Sequence, residues 1–102
     1  MRQLIQGWSD TMKGVEVKPS GFSDASIIYN GLLARSGADR VYMHCGFGDP
    51  KSWRNVNTIC MDRTARGWEL TQRMQEPLMS FCFKDSADHW DNNNGYNWTI
   101  RA

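Results

Sequence analysis

The sequence predicts an all-β domain, a two-layer antiparallel sandwich of about seven to nine short strands, and three observations predict it. Apolar residues fall in many short runs bounded by Gly, Pro, Asn and Asp, without the three- and four-residue spacing of an amphipathic helix. Several of these runs alternate apolar with polar residues, the period of a half-buried strand. At 102 residues, with 40 % hydrophobic and 23 % charged, the chain has the size and composition of one globular domain, with no repeat, linker or low-complexity stretch.

The elements follow in order. Residues 1–12 contain Leu4 and Ile5 but no apolar run long enough for a signal peptide or a membrane span, so they are set apart as a terminal extension free to be flexible, with the sandwich at 13–102. Val15 and Val17 alternate with Glu16 and Lys18 before Pro19 and Gly21 stop the run, which suits a first strand at a sheet edge. Ile27-Ile28-Tyr29 and Leu32-Leu33-Ala34 flank Asn30-Gly31, the pair favoured in a two-residue type I′ hairpin turn; a loop admitting a ligand or metal is the rival reading of 30–35. After a turn at Ser36-Gly37-Ala38-Asp39, residues 40–45 form a strand that sends Val41, Met43 and Cys45 to one face and Tyr42 and His44 to the other.

Gly46-Phe47-Gly48-Asp49-Pro50 reads as turn chemistry leading to Trp53, a Trp whose sequence neighbours are polar. Strands at 56–61 and 68–74 are separated by a polar stretch at 62–67. A strand at 78–83 places Met79, Phe81 and Phe83 on one face and Ser80 and Cys82 on the other, and the last strand occupies 96–100. Trp68 and Trp98, inside strands, belong to the core. Trp8 lies in the extension.

Composition restricts function. A formal net charge of +1 gives no long-range attraction for a polyanion, which argues against nucleic acid or an anionic membrane as partner. Cys45, Cys60 and Cys82 are odd in number and widely separated, and read as reduced, buried thiols in a cytoplasmic protein; one disulfide plus a spare thiol is the other reading. Asp85, Asp88 and Asp91 recur at intervals of three, but the EF-hand pattern fails because aligning Gly95 puts Trp90 in the first ligand position and no Glu in the twelfth. Neither a metal nor another cofactor is expected. No pair of carboxylates, nucleophile motif or phosphate cradle is set apart, so the chain reads as non-catalytic.

The most informative stretch is Trp90-Asp91-Asn92-Asn93-Asn94-Gly95-Tyr96-Asn97-Trp98. Asn amides donate and accept on a short arm, and indoles offer broad, rigid faces, a pairing suited to ligands with flat apolar faces and hydroxyl-rich edges. With Tyr42-Met43-His44-Cys45-Gly46-Phe47-Gly48, then Trp53, then Phe81-Cys82-Phe83-Lys84-Asp85, this stretch resembles the starch-binding carbohydrate-binding modules of families 25 and 53 over about residues 15–100. The resemblance implies an immunoglobulin-like sandwich that binds α-1,4-linked glucan, whether starch, glycogen or malto-oligosaccharide, through His44, Trp53 and Trp90.

Elementary chemistry supports the same residues. Indole faces stack on the C–H faces of glucose, and two platforms inclined to each other suit a helical α-glucan better than a flat one. His44, beside Tyr42 and off the core face, can donate to or accept from sugar hydroxyls. Trp90 equally suits a buried anchor of the last turn. Asn92, Asn93 and Asn94 divide between shaping the turn and bonding sugar. A separate glucan-metabolising enzyme is a candidate second partner. The alternative function is a protein-interaction adaptor using the same aromatic face.

Overall fold

The computed structural model describes residues 5–21 and 23–102. Through them run β1 (Trp8–Asp10), β2 (Val15–Ser20), β3 (Asp24–Tyr29), α1 (Leu32–Arg35), β4 (Val41–Phe47), β5 (Arg54–Cys60), β6 (Asp62–Thr64), β7 (Gly67–Arg73), β8 (Leu78–Asp85), β9 (Trp90–Asp91) and β10 (Trp98–Arg101). One sheet has the order β1-β2-β3-β7-β6 and the other β10-β8-β4-β5, with β9 paired to β8. Every pairing is antiparallel. The fold is thus the expected all-β, two-layer sandwich, and the two- and three-residue strands β1, β6 and β9 account for a count above the expected range.

The core lies where period-two alternation places it. Val15, Val17, Ala25, Ile27 and Tyr29 face Val41, Met43, Cys45, Phe47, Met79, Phe81 and Phe83 across the interlayer space. Trp68 and Trp98 are buried, as expected of strand residues, and Trp98 stacks on Phe81 with centroids 6.2 Å apart. Burying a side chain of this size contributes roughly 1.5 to 3 kcal/mol, so the facing rows fix both the layering and the strand register.

Several local expectations change. Of the stretch set apart at 1–12, residues 1–4 lie outside the described residues, while β1 pairs with β2 and Trp8 stacks on Phe81 at 6.3 Å. Consequently β2 is interior to its sheet, and β1 is the edge. Asn30-Gly31 makes no hairpin: Gly31 has φ −87° rather than a positive angle, and Leu32–Arg35 coil into α1. The cause is Tyr29, whose buried hydroxyl needs partners. It accepts the Leu33 N–H at 3.0 Å and donates to Asp91 Oδ2 at 2.6 Å, and coiling brings the Leu33 amide to it.

Gly46 and Phe47 likewise belong to β4 and not to a turn. The strand continues because Phe47 completes the core row opposite Met79. Among the thiols, Cys45 and Cys82 are buried, but Cys60 is exposed because β5 is an edge strand with its outer face in solvent. All three cysteines are free.

Candidate functional site

The outer face of the β4-β8 sheet is organised in cross-strand rows. Tyr42 pairs with Cys60 on one side and Lys84 on the other, and Lys84 in turn pairs with Trp90. The next row holds Thr58, His44 and Cys82, and the one after it Gly46 and Ser80. Successive rows are two residues apart along each strand, about 7 Å. Alternation that buries Met43 and Cys45 therefore turns Tyr42 and His44 outward, both half-buried.

Trp53 reaches this face from the loop before β5. A bulge shifts the β4-β5 register between Cys45 and Phe47, with Asn55 on the β5 side at φ 52°. Asp49 Oδ1 accepts the Lys51 N–H at 2.9 Å, Ser52 N–H donates to Asp49 O at 2.9 Å, and Trp53 Nε1 donates to Pro50 O at 2.8 Å. With its N–H satisfied inside the loop, the indole offers a face and not a hydrogen bond. Gly46 is the seat: a Cβ there would stand 2.6 Å from Trp53 Cβ, so only glycine lets the ring lie against β4.

Trp90 approaches from the opposite side. It is 47 % exposed, while the adjacent Asp91 is buried with its carboxylate on the Tyr29 hydroxyl. One residue anchors the strand and its neighbour displays a ring. Burial, and the hydrogen bond to Asp91, raise the Tyr29 pKa well above its ordinary value, so this hydroxyl keeps its proton. Lys84 Nζ lies 5.6 Å from the Trp90 ring centroid and 5.7 Å from that of Tyr42, and is fixed by Asp88 Oδ1 at 2.6 Å.

Between the indoles lies His44. Its ring centroid is 5.8 Å from Trp53 with planes at 36°, and 5.4 Å from Trp90 with planes at 87°. The two indole planes are therefore inclined to each other by at least the difference between these angles. His44 Nδ1 shares a hydrogen bond of 2.7 Å with Thr58 Oγ1, which leaves Nε2 as the ring's free polar atom. Burial, then the nearby Lys84 ammonium, lower the His44 pKa below 6.5, so the imidazole is neutral at neutral pH.

The profile of the starch/carbohydrate-binding module family 53 matches residues 25–99, a span that includes all three rings. The chain belongs to that family. No curated protein and no solved structure matches it. Of the two families in the resemblance, family 53 is the one whose profile matches this module.

The Asn-rich loop of the module is chiefly self-supporting. Asn92 Oδ1 accepts the Gly95 N–H at 3.0 Å, and Asn93 Nδ2 donates to Asn97 O at 3.1 Å. Asn93, Asn94 and Asn97 all have φ 57°, the left-handed conformation that Asn tolerates better than other side chains. Sequence reasoning missed Gly46, whose requirement is a close tertiary approach, and Lys84, although alternation from Phe81 and Phe83 already turned it outward. Burial pushes the Cys45 and Cys82 thiols up to about 11, so both are unreactive at neutral pH. Among the described residues no group of three His, Cys, Asp or Glu side chains is placed to hold a metal ion.

Proposed function

We propose that the module binds α-1,4-linked glucan without catalysis, stacking two glucosyl rings on Trp53 and Trp90 and bonding hydroxyls between them through His44 Nε2. The observation that carries this reading is the pair of inclined indoles bracketing a neutral imidazole on one face. A flat row of rings suits a straight β-linked chain, whereas platforms set at an angle suit the turn between successive α-1,4 units. Tyr42 lies in the row beside His44, and Asn92 Nδ2 and Asn93 Oδ1, the ends not engaged in their loop, serve hydroxyls at the Trp90 edge. Starch, glycogen and malto-oligosaccharides share this chemistry, and the thiols suit a cytoplasmic setting, where a storage glucan and an enzyme acting on it are the natural partners.

Stacking on one ring is worth about 1 to 3 kcal/mol by analogy with nucleobases, so the affinity falls in the micromolar to millimolar range. The test is a pull-down on insoluble starch, paired with maltoheptaose titration followed by Trp fluorescence. Trp53→Ala and Trp90→Ala are each expected to lose roughly five- to a hundredfold in affinity. An adaptor for polypeptides gives no saturable response to maltoheptaose in the first place, and retention of both variants on starch at the wild-type level defeats the assigned platform.

A further inference from the structure

The surface around Trp90 continues past the three rings. A cleft of about 530 Å³ opens on its flank, with Leu32 and Leu33 of α1 on one side and Asp88 and His89 on the other. A second cleft of about 230 Å³ shares Leu32 and runs on to Met12 and Arg35. Trp90, Leu32 and Met12 are thus a succession of exposed apolar side chains, 47 %, 59 % and 85 % exposed: Trp90 and Leu32 line the first cleft, and Leu32 and Met12 line the second, among Lys13, Arg35, Asp91 and Asn94. Single exposed apolar residues are ordinary, but a succession of them that begins at a stacking platform points to an occupant.

The rim of the first cleft is polar in a way that suits hydroxyls. Asp85 Oδ1 accepts the backbone N–H groups of Ala87 and His89 at 2.9 and 2.8 Å, and Asp85 Oδ2 lies 2.9 Å from His89 Nδ1. A carboxylate can only accept, so His89 Nδ1 is the donor in this contact and the ring's Nε2 is left for a hydroxyl. Ser36, on the helical side, adds a hydroxyl to the same cleft.

We propose that the clefts along α1 hold the continuation of the same glucan chain, as a subsite beyond the two stacked glucosyl units. Leu32 meets the C–H face of a further ring, and His89 Nε2 and Ser36 Oγ meet its hydroxyls. The assignment rests on the glucan reading of the Trp53, His44 and Trp90 site, with which the cleft is continuous through Trp90.

The experiment compares maltotriose and maltoheptaose by calorimetry on the wild type, Leu32→Glu and Trp53→Ala. Leu32 is exposed and helical, so the Glu variant keeps the fold, which thermal unfolding verifies. The wild type is expected to prefer maltoheptaose by about tenfold or more, and Leu32→Glu to cut that preference by about fivefold while binding maltotriose unchanged. The few-fold preference that remains comes from the larger number of registers on a longer chain. Trp53→Ala weakens both ligands alike. A Leu32→Glu protein that keeps the wild-type preference overturns the subsite and leaves the glucan reading standing, whereas a wild type that binds neither oligosaccharide removes both. The Leu32 methyl resonances supply a second readout: they shift with maltoheptaose and not with maltotriose, and a shift with neither ligand counts against the subsite.

Discussion

At the scale of single residues, the site depends on one side chain that is absent. Gly46 occupies an outward position of β4 where alternation would otherwise place a side chain, and the Trp53 indole takes that space. Adding a methyl group at 2.6 Å from Trp53 Cβ forces the ring off the sheet, because the opposing atom is close to the backbone and not the tip of a flexible chain. Gly46→Ala is therefore expected to weaken maltoheptaose binding about as much as Trp53→Ala, at a stability cost of about 1 to 3 kcal/mol for overpacking. Calorimetry and thermal unfolding measure the two effects separately. Full affinity in the Ala variant would mean that the position of Trp53 on Gly46 does not matter to the ligand.

At the scale of elements, β9 and α1 are tied together by one buried relay, from the Leu33 N–H to the Tyr29 hydroxyl to the Asp91 carboxylate. Tyr29→Phe keeps the stacked contact with Phe83, whose centroid is 4.1 Å away, but leaves a buried carboxylate and a buried amide without a partner. Each such orphan costs about 1 to 3 kcal/mol, so a loss of roughly 3 kcal/mol in the denaturant midpoint analysis is expected, together with faster hydrogen exchange at Leu33. Binding falls as well, because the strand that displays Trp90 loses its anchor; stability and Leu33 protection equal to wild type would show that the relay is incidental. The same relay explains what could be read in the sequence. Alternation in β4 and β8 is a local signal, so the core rows and the outward direction of Tyr42 and His44 were legible. The coil at Leu32–Arg35 answers to Asp91, 62 residues from Tyr29, and no local pattern carries that information. Asn30-Gly31 was accordingly a sound hairpin signal overruled by a tertiary contact, and the seat at Gly46 was hidden for the same reason.

At the scale of the whole molecule, the rings gather on the outside of one sheet, while the other sheet turns Glu16, Lys18, Glu69 and Thr71 outward. On the proposed reading a single module presents one stacking face, and its affinity rests on two stacks, a few hydrogen bonds and the subsite along α1. Insoluble starch offers many equivalent chains, so a second copy joined by a flexible Gly/Ser linker finds its site at an effective concentration set by the linker. A tandem of two copies is expected to be retained on starch granules about a hundredfold more strongly than one copy, with the affinity of each site for maltotriose unchanged. Trp90→Ala in one of the two copies returns retention to the single-module level, which separates avidity from any new contact between the copies. With a net charge of only +1, neither value moves much with salt. Retention that rises in the tandem even when both copies carry Trp53→Ala and Trp90→Ala together would locate the attraction somewhere other than the indole face.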